Sequence, residues 1–224
     1  MYCASWSGGK DSCLAVYLAI KKGMKVSNLV HFDRPNNLHG VDPAMIKLQA
    51  ELAGIPMTQR KVASEDYERE FKKTIGEFAA KGTRGMVFGD IFLEPHKEWV
   101  DRVCSELGIE AVEPLWGMKT ENIIEDFLQE GFETIVASGN RDLIDKKFIG
   151  RAMDREFIDY LKSKKLDVCG ESGEFHTFVT RGPLFSGRIE IKESEITSRD
   201  GFWFLDVRDY TVIRHEKGNN AIDG

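Results

Sequence analysis

The sequence predicts an α/β protein, a parallel sheet flanked by helices with a small C-terminal α+β part. Two observations carry this expectation. Short apolar runs alternate with amphipathic stretches up to about residue 165, the pattern of parallel strands joined by covering helices. From Pro183 onward the pattern changes to alternating residues in 188–195 and 203–213, which reads as a late pair of antiparallel strands.

The elements follow in order. Strands are expected at 2–6, 26–32, 57–62, 85–89, 110–112 and 134–138, all assigned to the parallel sheet. The first helix, 13–20, is apolar nearly all round and is therefore expected to be covered on both sides. Later helices show one apolar stripe each at three- and four-residue spacing: Tyr67, Phe71, Ile75 and Phe78; then Trp99, Val100, Val103, Cys104 and Leu107; then Ile123, Ile124, Phe127 and Leu128. These are core faces. Gly23, Gly54, Gly108 and Gly131 each follow a helical stretch where a left-handed cap residue is wanted. The expected division is 1–140, then 141–213, then a frayed tail, 214–224.

Composition bounds the function. The 224 residues are 42% hydrophobic and 30% charged, as in a soluble globular protein long enough to bury a real core. A net charge of -6 without a Lys/Arg block speaks against a dedicated nucleic-acid binder. Cys3, Cys13, Cys104 and Cys169 form no Cys-x-x-Cys pair, so neither a zinc site nor a disulfide framework is indicated. No segment approaches a membrane span or a secretory leader, and the expected compartment is the cytoplasm.

Residues 7–12 read Ser7-Gly8-Gly9-Lys10-Asp11-Ser12, between the first strand and the first helix. A glycine pair there lets the backbone approach an anion, and the helix start offers unpaired N–H groups and its positive dipole end. Gly8 and Gly9 would admit a pyrophosphate, Lys10, expected at an exposed turn, would add a point charge, and Ser7 and Ser12 would supply hydroxyl donors. Asp11 would hold magnesium or orient the loop. No Gly-x-x-x-x-Gly-Lys-Ser/Thr stands in the chain. The hexapeptide instead resembles the PP-loop of the ATP pyrophosphatases, which split ATP between its alpha and beta phosphates.

In an open parallel sheet, ligands bind beyond the carboxyl ends of the strands, where strand order reverses. That draws attention to Ser7 to Ser12, His31 to Arg34, Gly89-Asp90-Ile91, Pro114 to Gly117 and Ser138-Gly139-Asn140. A second cluster, Gly170-Glu171-Ser172-Gly173-Glu174-Phe175-His176-Thr177, is either a site for acid–base work or for holding magnesium or an amine, or a polar loop entering the terminal strands.

Together the PP-loop, Gly89-Asp90-Ile91 with Glu94, His96 and Trp99 behind it, Glu113-Pro114-Leu115-Trp116-Gly117, and Gly170 to Thr177 resemble the diphthine-ammonia ligase family over roughly residues 1–185. The resemblance implies an adenine nucleotide alpha hydrolase-like (HUP, Rossmann-like) domain that binds ATP and Mg2+ over 1–140. It also implies a smaller acceptor-binding part over 141–213. The implied reaction is adenylation of a carboxylate and its amidation by ammonia, with release of AMP and pyrophosphate. The implied acceptor is diphthine on elongation factor 2. Lys10, Asp11, Glu171, Glu174 and His176 would be catalytic, and Phe32, Asp33 and Asp90 would join residues 7–12 around ATP, with Asp11 on the metal. Two positions depart from the family pattern: Ser172 and His176 stand where diphthine ligases usually carry Gly and Glu, which leaves open a sister group with another acceptor.

Other positions have plainer alternatives. Phe32 and Asp33 meet adenine and ribose or form an edge turn; His96 lines the site or the surface; His31, His39 and His215 show no partner spacing; Arg141, in a loop with Asn140 and Asp145, meets a phosphate or caps a helix. The rival readings are a tRNA-modifying PP-loop enzyme and a non-catalytic ATP sensor. Cysteine spacing and acidic charge count against the first, and the second acidic cluster against the other. Tight binding of bulk nucleic acid is not expected, and the oligomeric state, a homodimer included, is open.

Overall fold

The computed structural model describes residues 1–35, 38 and 40–214. His39, His215 and nearly all of the expected tail lie outside the described residues. Five parallel strands form the first sheet: β1 (Tyr2–Ser5), β2 (Val26–Asp33), β3 (Met57–Lys61), β4 (Gly85–Val87) and β5 (Glu110–Val112), in the order β3-β2-β1-β4-β5. Crossovers run through α1 (Lys10–Lys21), α2 (Pro43–Ala53), α3 (Tyr67–Ala79) and α4 (Glu94–Glu106), and α5 (Thr120–Gln129) follows β5. The chain moves outward from β1 in one direction through β2 and β3, then returns to β4 on the other side. Strand order therefore reverses between β1 and β4, and their carboxyl ends diverge into a crevice.

Strand alternation assigns the core. In β1, Cys3 faces a cluster with Phe71, Ile75, Met86, Val100 and Val103 beneath α3 and α4, while Ala4 faces the opposite cluster with Leu14, Leu29 and Val87 beneath α1. Helix α1 touches β2 and β4 on one side and a strand of the second sheet on the other, so its all-round apolar sequence is matched by cover on both sides. The four glycines expected as caps all have positive φ, from 66 to 83. Asp42 accepts the Ala44 N–H at 2.7 Å and Pro43 occupies the first turn of α2.

The second sheet corrects the sequence reading. Strand β6 (Glu133–Asn140), expected as a sixth parallel strand, pairs antiparallel with β7 (Phe175–Arg181) and with β9 (Phe202–Arg214), giving the order β7-β6-β9-β8 with β8 (Gly187–Arg199) at the edge. An apolar run such as Thr134 to Ser138 satisfies a buried strand in either kind of sheet, so periodicity does not choose its partners. Strand β7 is hidden in the sequence because its first residues include the polar His176 and Thr177. Helix α6 (Arg155–Ser163) lies between β6 and β7 in sequence. The late antiparallel pair is present as β8 and β9, a hairpin with Ile189 opposite Val212 and Ile196 opposite Leu205.

Phe32, expected to meet adenine and ribose or to form an edge turn, packs its ring 5.5 Å from Tyr67 and 5.6 Å from Phe71 in an aromatic nest. Phe71 is 1% exposed and also meets Trp99 at 4.9 Å edge-on and Phe88 at 6.4 Å. Removing this ring leaves a cavity that four other aromatic side chains cannot fill. Phe71→Ala is expected to cost about 3–5 kcal/mol of stability, seen as a lower urea midpoint with an unchanged slope. A loss below about 1 kcal/mol would mean the nest is not packed as described.

Candidate active site

The loop after β1 enters a cleft of about 240 Å³ at the reversal between β1 and β4. Ser5, Ser7, Gly9, Lys10, Asp11 and Ser12 form one wall, and Gly89, Asp90, Leu93 and His96 after β4 form the second. The third comes from the segment leading into β7: Cys169, Gly170, Glu171, Phe175, His176 and Thr177. A neighbouring cavity of about 350 Å³ shares Ser5, Asp90 and His96 with this cleft and is walled by Tyr67, Phe88, Trp99 and Arg34. A separate cavity of about 430 Å³ holds Asp33, with Lys61 and Arg199, and contains no residue of the loop.

Local geometry explains the loop. Gly8 has φ +80, and a Cβ on it would stand 2.5 Å from Gln49 Oε1, so only glycine fits both the turn and the contact. A Cβ on Gly89 would lie 2.9 Å from the backbone of Asp11 and Ser12, which is how closely the end of β4 approaches the loop. Ser12 Oγ donates to the Gly9 carbonyl at 3.0 Å and lies 3.1 Å from Ser7 Oγ. The Lys10 N–H donates to Thr177 Oγ1 at 3.0 Å, tying the helix start to β7.

Lys10 is not at the exposed turn the sequence suggested. It is 3% exposed; its ammonium donates to Asp11 Oδ2 at 2.8 Å and to the Cys169 carbonyl, and lies 5.5 Å from the Phe175 ring centre. The segment before β7 roofs it over, a long-range contact that the loop sequence does not contain. Burial weighs against its charge, but the carboxylates of Asp11 and Glu171 outweigh this and hold the ammonium pKa above its ordinary value.

Glu171 accepts the Ile91 N–H at 3.0 Å, while its own N–H donates to Asp167 Oδ2 at 2.9 Å. Burial pushes its carboxyl up to about 7, with Asp11 and Asp90 adding to the rise and the Ile91 N–H and Lys10 opposing it. Burial lowers His176 to about 4, with Lys10 adding to the effect, so its imidazole is neutral at pH 7. His96 Nδ1 stands 3.3 Å from Asp90 Oδ1 at the exposed rim. Asp11 Oδ1 is buried with no hydrogen-bond partner among the described residues. Among the described residues no group of three or more His, Cys, Asp or Glu is arranged to hold a metal ion.

Of the residues the sequence singled out, Ser7, Gly9, Lys10, Asp11, Ser12, Asp90, Glu171 and His176 converge on the cleft. Phe32 and Asp33 do not line it, and neither do Glu174 and Asn140. The Glu174 carbonyl accepts the Asn140 N–H at 2.8 Å and its side chain is 7% exposed. Strict alternation would put residues 174 and 176 on one face, but β7 begins only at Phe175 and Gly173 turns the chain with φ +85. Asn140 Oδ1 accepts the Asp142 N–H at 2.9 Å, and Asp145 accepts the Lys147 N–H at 3.0 Å. Arg141 lies over Trp203 at 4.7 Å instead of meeting the cleft. His31 is buried with Nδ1 2.8 Å from the Trp6 carbonyl. Sequence reasoning missed Ser5 and Cys169, which enter the cleft through strand ends and a roof set by tertiary contacts.

Residues 2–111 match the family described as diphthamide synthase N-terminal domain, and residues 119–217 that described as diphthamide synthase C-terminal domain. Curated relatives named diphthine--ammonia ligase include the Bos taurus protein, 23% identical over 232 residues covering 90% of this chain and 86% of the relative. The Homo sapiens protein of that name is 25% identical over 227 residues, covering 88% and 85%. A solved structure from Methanocaldococcus jannaschii, described as a predicted subunit of tRNA methyltransferase, aligns with 19% identity and a TM-score of 0.42 over 75% of this chain and 90% of that one. A score that low bears on neither fold nor function. Among the described residues no helix is long and apolar enough to cross a membrane.

The raised pKa of Glu171 has a stability consequence. Its carboxyl titrates at about 7 in the folded protein against an ordinary value of 4.5. The cost of ionising it in place is therefore absent below about pH 4.5, grows as pH rises toward 7, and levels off above that. Glu171→Gln keeps an acceptor for the Ile91 N–H and cannot ionise. The variant is expected to gain stability relative to the parent as pH rises from about 4.5 to 7, measured by thermal unfolding across that range. A difference that stays flat with pH would remove the buried-carboxyl account.

Proposed function

Since the chain belongs to the diphthamide synthase family, we propose that it is a ligase that uses ATP to adenylate a carboxylate and amidates the product with ammonia. The observation that carries this reading is the meeting of residues 7–12 with Glu171 and His176 in one cleft at the strand-order reversal. A loop of N–H groups at a helix start suits phosphate oxygens, and Lys10, kept charged in a buried place, suits the charge on a leaving pyrophosphate. The adjoining aromatic cavity with Tyr67, Phe88 and Trp99 suits a purine base.

The chemistry follows from leaving groups. A carboxylate cannot expel oxide. Its oxygen attacks the alpha phosphorus, the bond to the beta-bridging oxygen breaks, and pyrophosphate leaves. Ammonia nitrogen then attacks the acyl carbon and AMP leaves. Ammonia arrives as ammonium and must lose a proton first; Glu171, with Asp90 beside it, is suited to attract the cation and take that proton near neutral pH. His176, neutral and facing the same space, is suited to accept a hydrogen bond from the amine or the acceptor. In this reading the N-terminal part binds ATP and the C-terminal part presents the acceptor.

Magnesium fits the donor set in a limited way. Asp11 Oδ1, buried and without a hydrogen-bond partner among the described residues, is the oxygen a metal would take, with phosphate oxygens and water completing the shell, as is usual for magnesium in nucleotide sites. When bound, the ion would neutralise charge developing on the pyrophosphate. The acceptor we propose is diphthine, the substrate in the relatives' name, borne on elongation factor 2 as the sequence resemblance implies, and the compartment we propose is the cytoplasm. The four cysteines are buried and unbonded to each other, with thiols pushed up by burial, a poor provision for the thiolate chemistry of tRNA-thiolating enzymes.

Three measurements test the reading. Lys10→Gln is expected to lower kcat/KM for ATP by about 100-fold, as removal of a transition-state donor typically does; unchanged turnover in the folded variant would exclude the phosphate role. Incubation of the protein with ATP, ammonium and a diphthine-bearing acceptor is expected to yield AMP and pyrophosphate. Glu171→Gln is expected to retain acceptor-dependent exchange of pyrophosphate into ATP while losing most amide formation. ADP as the product, or full amidation by Glu171→Gln, would refute the scheme.

A further inference from the structure

Gln49 lies on α2, outside the cleft, with its side chain fully buried. A buried carboxamide is costly unless its donors and acceptor are used. Here Nε2 donates to the carbonyls of Gly8 at 3.0 Å and Val179 at 2.7 Å, and Oε1 accepts from Trp6 Nε1 at 3.1 Å. The Gly8 carbonyl also accepts the Val179 N–H at 3.0 Å. Two donors, one from α2 and one from β7, thus hold a single carbonyl of the loop.

That carbonyl determines where the next N–H points. The described chain contains no cis peptide bond, and a planar trans peptide directs its N–H opposite its C=O. With the Gly8 oxygen held toward Gln49 and Val179, the Gly9 N–H is turned the other way, and it does point at Ser7 Oγ, 3.3 Å distant. Ser7 and Gly9 line the cleft, whereas Gly8 does not. A Gly-Gly pair visits both signs of φ readily, so the loop by itself does not select this orientation. The flipped peptide would offer a carbonyl oxygen to the anion and repel it.

We infer that Gln49 is a positioning residue for the phosphate cradle: it fixes the Gly8–Gly9 peptide so that the Gly9 N–H meets the pyrophosphate portion of the substrate. The inference rests on the proposed reading of residues 7–12 as a phosphate loop. It adds a residue that touches no substrate and is separated from the loop by more than thirty positions.

The test replaces Gln49 by Met, of similar length and without a donor, and titrates inorganic pyrophosphate, ATP and adenosine into parent, Gln49→Met and Lys10→Gln proteins by calorimetry. Gln49→Met is expected to lose about tenfold or more in affinity for pyrophosphate and ATP, equivalent to about 1.4 kcal/mol, with adenosine affinity unchanged. A merely structural role would weaken adenosine in parallel. Pyrophosphate affinity within about twofold of the parent, in a Gln49→Met protein that unfolds cooperatively, overturns the inference. If Lys10→Gln weakens pyrophosphate while Gln49→Met does not, the inference alone fails. If the parent binds neither pyrophosphate nor ATP, the phosphate reading fails and takes the inference with it. Because Gln49→Met leaves Trp6 Nε1 without its acceptor, a second measurement uses the parent protein. On addition of pyrophosphate the Gly9 amide proton is expected to move downfield in NMR spectra, while the Gln49 side-chain amide protons stay slow to exchange. A Gly9 amide that does not move overturns the inference.

Discussion

Much of this structure depends on how β7 meets the loop that leaves β1. The Val179 N–H donates to the Gly8 carbonyl, the Lys10 N–H donates to Thr177 Oγ1, and the Lys10 ammonium donates to the Cys169 carbonyl just upstream. These bonds join the two sheets at the place where the parallel sheet reverses its strand order. They also bury one side of α1, which the other sheet buries from below. Loops usually run over the surface because their backbone groups need water; this one lies inside because another strand supplies the partners.

The same contact sets the electrostatics of the cleft. Covering Lys10 removes water from it, and a buried ammonium is costly unless carboxylates stand near. Asp11 and Glu171 fill that role, and the mutual crowding of Glu171, Asp11 and Asp90 is part of what lifts the Glu171 carboxyl toward neutrality. His176, a base in the same enclosure, is pushed the other way by burial, with the Lys10 charge adding to the effect. Two groups whose burial moves them in opposite directions, one up and one down, give a site a proton acceptor and a neutral hydrogen-bonding partner at the same pH. The arrangement follows from a single roof over a single lysine.

The fold was largely legible. Parallel strands and stripes such as Tyr67, Phe71 and Ile75 are local in their cause: side chains repeat with the period of the element that carries them. The glycine caps were legible for the same reason, since a left-handed residue is a local demand. Partner choice is not local. The run at Thr134 reads alike in either sheet, and only pairing with Phe178 and Phe204 on its two edges shows that it belongs to the antiparallel one.

By itself, the sequence determined the chemical alphabet of the site: glycines and a lysine at a strand-to-helix turn, and a late acidic cluster with a histidine. These are set by residue type and spacing along one stretch of chain. Tertiary structure decided which of them face one another. It put Glu171 and His176 on the cleft and left Glu174 buried outside its lining, packed the Phe32 ring into the aromatic nest, and buried Lys10 beneath Cys169. It also brought Gln49 from α2 to the back of the loop. Such outcomes depend on contacts between residues tens to more than a hundred positions apart, whose geometry exists only once the chain has paid the entropy of closing those loops.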